Sequence, residues 1–362
     1  MQWSKRPVIL LGHGARGADI GRVTQLGVPI LTSWQAKDLI DNDHELYFGS
    51  PGIYGQRVAN KVLYESDMIV AVGNRMAIWN VGYDGPRPDQ RIVMVDVDGY
   101  EADKFQNADW IKQDAAAFVR GVKGATGIID WHADCMRWRK EMPLLESPAH
   151  DDANGYINSY RFTDALHKYL RPEEIIVTDM GAPLICAHQV LRLKPPQRIM
   201  TSGGLGEMGC ALPAAIGASF ARGKGEVLCL HADGGMMLNL QELQTITTHK
   251  LPIRIIVYRN EGYGMIQHTQ KNAGMSEVAV AADSGVGFPD YVRVADAMGI
   301  PAADVRTWDD FNYLMPVLFT SKKPMLLQYH MEPRQRMVPK LEPVFVDGQP
   351  RSPRFCDMSP IL

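Results

Sequence analysis

No apolar run in the 362 residues is long enough to cross a bilayer, which argues against a helical membrane protein. Only about four apolar residues precede the first glycines of the N-terminal stretch MQWSKRPVILLGHGARG, too few for the core of a secretory signal. Charge imbalance is also lacking. Lys and Arg number 38 against 41 Asp and Glu, a formal net charge of −3, so no basic field invites nucleic acid. The five cysteines (Cys135, Cys186, Cys210, Cys229 and Cys356) are far apart and form no CxxC pair, against a zinc site or a disulfide framework. The histidines His13, His188, His231, His249 and His268 show no metal-ligand spacing. Low-complexity segments are missing, and so are internal repeats beyond two halves of similar pattern. What remains is a globular chain, expected in the cytoplasm without a membrane or nucleic-acid partner.

Two domains are expected at this length. In the first half PVILL and VPIL are strand candidates, and DMIVAVG and RIVMVDVD are continuous apolar runs ended by Gly or Asp, as in strands buried on both faces. Helical patterns lie between them, which predicts a parallel sheet with right-handed crossovers. After an amphipathic helix around WHADCMRWRKEMPLL, residues 146–155 collect turn formers and charge, a linker. The second half repeats the alternation with EEIIVTDMG, GEVLCLHADGG, PIRIIVYRN and KPMLLQYH as strands. NSYRFTDALHKYL, LPAAIGASFAR and NLQELQTITTH are the helices between them. The expected fold is therefore α/β, two doubly wound parallel-sheet domains at 1–145 and 156–333. An extended tail at 334–362 must lie on something.

Ligands of open parallel sheets sit outside the carboxyl ends of the strands. Asp179 with Gly181, Asp233 with Gly234 and Gly235, and Asn260 with Gly262 all fall at such ends. Glycine N–H groups at a helix start suit phosphate. A carboxylate and an amide oxygen repel phosphate, but can hold Mg²⁺, which keeps other positions for phosphate oxygens and water. Taken alone, Asp-Gly-Gly after a strand is more often a turn with a helix cap. The glycine-rich run before it and the Asn260 turn after it shift the balance toward a metal site.

The segment ADGGMMLNLQELQTITTHKLPIRIIVYRNEGYGMIQ resembles the signature of thiamine-diphosphate enzymes: Gly-Asp-Gly, a helix and strand, then Asn-Asn and a glycine-rich turn. The resemblance implies metal ligation by Asp233, Asn260 and the Gly262 carbonyl. It implies diphosphate contacts at Asp179, Gly181, Ala182, Gly206, Gly234, Gly235, Tyr263, Gly264 and Met265. Residues 202–218, SGGLGEMGCALPAAIGA, resemble the acetolactate-synthase-type segment against the bent cofactor, with Met208 as the supporting side chain. Without that context Met208 would be a core gap-filler. KRPVILLGHGARGAD, GSPGIYGQRVANKVLYESDMIVAVGNRM and RIVMVDVD resemble the central domain of the same enzymes, and CDMSPIL resembles members from surface-polysaccharide pathways. The pattern departs at Ala232 and Arg259, which supply no ligand, and at Ala182 and Pro183, where polar side chains usually meet phosphate.

Gly12, Gly14 and Gly17 fit a dinucleotide fingerprint after a strand, but no acidic residue ends the next strand, so an independent NAD site is not expected. Some relatives bind FAD in this domain, and Gly12, Gly14, Arg75 and Asp96 are the positions such a cofactor would touch. The family's activating glutamate sits on a pyrimidine-binding domain that these residues do not resemble. Glu207 and Glu261 lie in cofactor loops but toward the diphosphate or substrate side. Family sites form between subunits, so the expectation is an oligomeric, split enzyme: a thiamine-diphosphate/Mg²⁺ subunit that decarboxylates a 2-keto acid such as pyruvate and joins it to a keto or aldehyde acceptor. A partner chain would bring the glutamate. The same residues also suit a cofactor-binding or partner-binding chain without turnover.

Overall fold

A computed structural model describes residues 4–105, 107–123, 129–347, 349–351 and 353–360. The last two residues of the CDMSPIL ending lie outside this set. Two compact units emerge, Met1–Glu146 with Val338–Leu362, and Ser147–Met337.

In the first unit, β1 (Pro7–Leu11), β2 (Ile30–Thr32), β3 (Met68–Val72), β4 (Arg91–Asp96) and β5 (Ala108–Lys112) form a wholly parallel sheet in the order β2-β1-β3-β4-β5. β1 and β3 are buried at every position because both faces are covered. Successive side chains point to opposite faces, so the strands feed two separate cores. Val8, Leu10, Ile69 and Ala71 join Val62, Met94 and Trp131 on one side. Ile9, Leu11, Met68, Val70 and Val72 join Val28, Ile40 and Val119 on the other.

The tail belongs to this unit. Leu341 donates its N–H to Ile53 O at 2.7 Å, and Leu341 and Phe355 enter the core beside Val58 and Trp131. The buried Arg57 guanidinium pairs with Glu146 at 2.6 Å and donates to the carbonyls of Met358 at 2.7 Å and Pro360 at 2.5 Å. One short antiparallel ribbon, β12 (Val344–Val346) with β13 (Gln349–Arg351), interrupts the tail's extended course.

The second unit carries β6 (Ile175–Thr178), β7 (Arg198–Thr201), β8 (Val227–Ala232), β9 (Ile253–Arg259), β10 (Ala302–Val305) and β11 (Met325–His330), again all parallel, in the order β10-β11-β9-β8-β6-β7. β8, β9 and β11 are the central, almost continuously buried strands. The edges β7 and β10 are shorter and half-exposed. From β6 the chain first steps outward to β7 and then returns to the other side of β6 as β8. Between β6 and β8 the winding reverses, and ligands of open parallel sheets sit outside the carboxyl ends of the strands at such a point.

Candidate functional site

The candidate site lies at the loops that leave β6 and β8, on either side of that reversal. After β6 come Asp179 and Gly181, then the helix Ala182–Val190, whose N-cap is Gly181 at φ +94°. A side chain is strained in that region of backbone space, which explains glycine there. After β8, Asp233 opens a single helical turn, Asp233–Met236, whose first N–H groups have no intrahelical acceptor. Ala232 Cβ lies 3.8 Å from the position a Cβ on Gly181 would take, so the two loops adjoin.

Asp233 is buried to 1% exposure, and its carboxylate is held by backbone alone. Oδ1 accepts from Gly234 N at 2.7 Å, while Oδ2 accepts from Asn260 N at 3.0 Å and Glu261 N at 2.7 Å. Its own carbonyl accepts the Tyr291 hydroxyl at 2.5 Å. Burial outweighs these bonds and pushes the carboxyl up to about 7. A cation beside it would reverse that shift, and Oδ1, with one N–H partner, keeps a lone pair for one. The turn that β9 delivers brings Asn260 and Gly262 to the same place. Asn260 Nδ2 lies over Gly264, 3.1 Å from where a Cβ would stand, and the buried Gly262 carbonyl accepts no hydrogen bond among the described residues. Among those residues no three His, Cys, Asp or Glu side chains cluster as a metal site. A single carboxylate, an amide and an orphaned carbonyl are hard oxygen donors, which fits Mg²⁺ sharing its shell with phosphate and water.

A side chain would crowd both glycines after Asp233, most severely at Gly235. A Cβ on Gly234 would stand 2.3 Å from the Tyr263 ring, and one on Gly235 would stand 1.7 Å from Asp179 Oδ2. Asp179 is itself wholly buried. Its Oδ1 accepts Gly209 N–H at 2.8 Å, and its Oδ2 makes no hydrogen bond but lies 3.3 Å from His231 Nδ1. Burial raises the Asp179 carboxyl and lowers the imidazole. Asn239 Nδ2 donates to Gly209 O at 2.9 Å, so Gly209, at φ +84°, is gripped from both sides. That grip fixes the end of the loop carrying Gly206, which is exposed, and Met208, which is half-buried. Tyr263, Gly264 and Met265 are half-buried at the start of the helix Gly264–Asn272.

Asp179, Gly181, Gly234, Asp233, Asn260 and Gly262 thus gather at one rim. Sequence reasoning does not place Gly209, His231, Asn239 or Tyr291 here. Each acts behind the rim through a contact with a residue distant in the chain, and no local pattern announces such a contact.

The other glycine fingerprint has a different use. A Cβ on Gly12 would stand 2.0 Å from Gly73 O, and one on Gly14 would stand 2.9 Å from Gly73 Cα. Gly12 N–H donates to Val72 O at 2.9 Å and Gly14 N–H to Gly73 O at 3.0 Å. Those amides are spent closing the loops after β1 and β3 against each other, and neither remains for the pyrophosphate of FAD. Arg75 pairs with Glu101 at 2.8 Å, and Asp96 accepts the N–H of Asp98 at 3.1 Å.

Comparison with known proteins finds two domain types in succession. Residues 1–122 match the thiamine pyrophosphate enzyme central domain, and residues 179–329 match the thiamine pyrophosphate enzyme C-terminal TPP binding domain. A probable acetolactate synthase large subunit of Methanocaldococcus jannaschii is 29% identical over 99% of this chain and 64% of its own length. Acetolactate synthase isozyme 1 large subunit of Escherichia coli K12 is 28% identical over 94% of the chain and 61% of its own length. An acetolactate synthase of Mycobacterium leprae is 30% identical over 82% and 50%. The chain spans about three-fifths of the length of the first two of these curated relatives. With both domain types matched in their family order on two parallel α/β units, the chain belongs to the thiamine pyrophosphate enzymes.

Proposed function

We propose that the second unit binds thiamine diphosphate through Mg²⁺, and that the chain serves an acetolactate-synthase-like decarboxylation of a 2-keto acid, with pyruvate as donor, followed by carboligation to a keto or aldehyde acceptor. The observation that carries this reading is the desolvated Asp233 carboxylate at the switch point, tied by backbone bonds to the turn that presents Asn260 and Gly262. Asp233, the Asn260 side chain and the Gly262 carbonyl would hold the metal. Gly181, Ala182, Gly234, Gly235, Tyr263, Gly264 and Met265 would meet the diphosphate, with Gly206 and Met208 on the loop that supports the bent cofactor. Ala182 and Pro183 offer no side-chain donor, so phosphate must be held by metal, backbone N–H groups and the field of a nine-residue helix.

Bound thiamine diphosphate supplies a nucleophilic carbon and a sink for the electrons left when CO₂ departs. This chain's residues position it. Asp233 is kept rigid by three N–H donors and the Tyr291 hydroxyl, which avoids reorganisation when the metal is held. Asp179 works behind the cradle, setting Gly209 and with it the Met208 loop.

The proton at the aminopyrimidine needs a carboxylate in reach. Glu207 is exposed on its loop, and Glu261 is turned to Arg259 at 3.4 Å. The proposed source is therefore a glutamate on a pyrimidine-binding domain carried by a second polypeptide, an arrangement that makes the active form an oligomer.

Calorimetric titration tests the binding step. Thiamine diphosphate with Mg²⁺ is expected to bind the wild-type chain, to lose affinity at least about tenfold in Asp233→Ala and Asn260→Ala, and to need the metal. Equal binding with EDTA present would refute the assignment. Pyruvate consumption by this chain alone, at ordinary enzyme rates, would refute the partner. A chain that binds the cofactor but consumes no keto acid with any pyrimidine-domain partner would be the non-catalytic alternative.

A further inference from the structure

A concavity opens at the carboxyl ends of β9, β10 and β11. Its volume is about 220 Å³, and its walls include Arg259, Glu261, Asp290, Arg306, Gln328 and His330. That is below the range of about 300–1,000 Å³ typical of drug-sized sites, so the space suits only a small molecule.

The sequence departs here from what a buried sheet needs. Asp304 stands opposite Gln328 in the β10–β11 register and His330 opposite Arg259 in the β11–β9 register, a polar layer across three strands. Gln328, 1% exposed, organises it. Its Oε1 accepts from Arg259 Nη1 at 3.0 Å and from Tyr291 N at 3.0 Å, and its Nε2 donates to Asp304 Oδ1 at 2.8 Å. The layer touches the thiamine diphosphate reading only through Tyr291, whose N–H Gln328 accepts and whose hydroxyl reaches the Asp233 carbonyl.

Two acids at or behind the pocket are engaged. Asp304 also takes His330 Nε2 at 2.5 Å, and Asp290 caps the helix Tyr291–Ala297 through the N–H groups of Val292 and Arg293. The bases keep spare donors. Arg259 Nη1 is committed to Gln328 and to Pro289 O, but Nε is buried without a hydrogen bond and Nη2 makes none among the described residues. Nε and Nη2 form the side-on fork by which a guanidinium grips a carboxylate. Glu261 Oε1 stands 3.4 Å from Nε as a loose stand-in, on a side chain that is 56% exposed and free to swing away. Arg306 sits at the mouth, 58% exposed, with its nearest carboxylate oxygen, on Asp304, 3.8 Å away.

We propose that this pocket binds a small carboxylate. The ligand displaces Glu261 from the Nε/Nη2 edge of Arg259 and takes a second charge-assisted contact from Arg306. The site does not depend on thiamine diphosphate, although Arg259 adjoins Asn260 and Asp290 adjoins Tyr291.

Succinate is the probe, titrated calorimetrically into the full chain without thiamine diphosphate, with succinamide as the uncharged control. The wild-type chain is expected to bind succinate and not succinamide. Arg306→Gln should weaken succinate by about tenfold or more, as loss of a charge-assisted contact does, and Glu261→Gln should tighten it by removing the competitor. Thiamine diphosphate binding by Arg306→Gln should be unchanged, which separates this site from the one at Asp233. Absence of succinate binding, or equal affinity in either variant, overturns the proposal.

Discussion

Gly235→Ala and Gly234→Ala add the same methyl group to adjacent residues, yet the structure gives them different costs. At Gly235 the new Cβ would stand 1.7 Å from Asp179 Oδ2 and 3.1 Å from Gly209 N. Asp179 cannot retreat, being wholly buried with its other oxygen bonded to Gly209. Overpacking of this kind costs about 1–3 kcal/mol. Loss of the bond from Gly209 N–H to a buried carboxylate adds about 1.5–3 kcal/mol. Replacing glycine returns about 0.5–1 kcal/mol through the unfolded chain. The net is a loss of about 3 kcal/mol, or about 6–12 °C in Tm for a unit of this size. At Gly234 the obstacle is the edge of the Tyr263 ring, half-buried and able to swing, so the loss should be about 1 kcal/mol or less. Thermal unfolding of the cofactor-free chain by circular dichroism reads the difference, and hydrogen exchange of the β6 and β8 amides assigns it to this unit. Should Gly235→Ala melt within about 2 °C of wild type, or should the two variants melt together, the rigid Asp179 wedge is wrong.

Other perturbations probe the remaining arguments. Gly12→Ala drives a Cβ to 2.0 Å from the Gly73 carbonyl and 2.5 Å from Asn74 Cα, and is expected to cost about 3 kcal/mol in urea unfolding; a tolerated alanine would mean that the two loops are not packed. Arg57→Ala strands the buried Glu146 carboxylate and frees the carbonyls of Met358 and Pro360, with a loss of about 3–5 kcal/mol. It should also speed trypsin cleavage at Arg354, and an unchanged digestion rate would argue against the clamp on the tail. Glu226 is drawn down to about 2, first by its hydrogen bond from Lys322 and then by Arg171. A carboxyl depressed in the folded state stabilises above its unfolded value near 4.5 and loses that contribution as pH falls through about 2. Glu226→Gln should therefore cost about 1 kcal/mol or less at pH 7, since the ion pairs are partly exposed, and only a small part of that at pH 2; a cost that grows in acid would contradict the sign.

Strands buried on both faces are legible because burial on both sides leaves one kind of residue to use. PVILL, DMIVAVG, VLCLHA and IRIIVYR read as strands from composition alone. The edge strands β5, β7 and β10 escape the sequence reading for the converse reason. ADWIK is exposed at four of five positions, and RIMT and AADV keep a single fully buried residue each. A half-solvated strand of four or five residues leaves no periodicity to detect. In the fingerprint GHGARG the glycines are visible but their purpose is not, since a glycine that accommodates another backbone and one that admits a phosphate are spelled alike.

By itself the sequence determined the two wound sheets, the family, and the set of strand-end residues with oxygen donors and glycines, because these depend on burial pattern and on short spacing along the chain. The tertiary structure alone decided that β6 and β8 flank the reversal of winding, which puts Asp233 at the switch point while Gly12 and Gly14 are spent on holding two loops together. It alone decided that Gln328, Asp304, His330 and Arg259 share a polar layer, for those contacts join three strands up to 71 residues apart in the chain, counted from Arg259 to His330. Chain-distant neighbours are set by how sheets order and helices pack, and no local pattern of side chains carries that information.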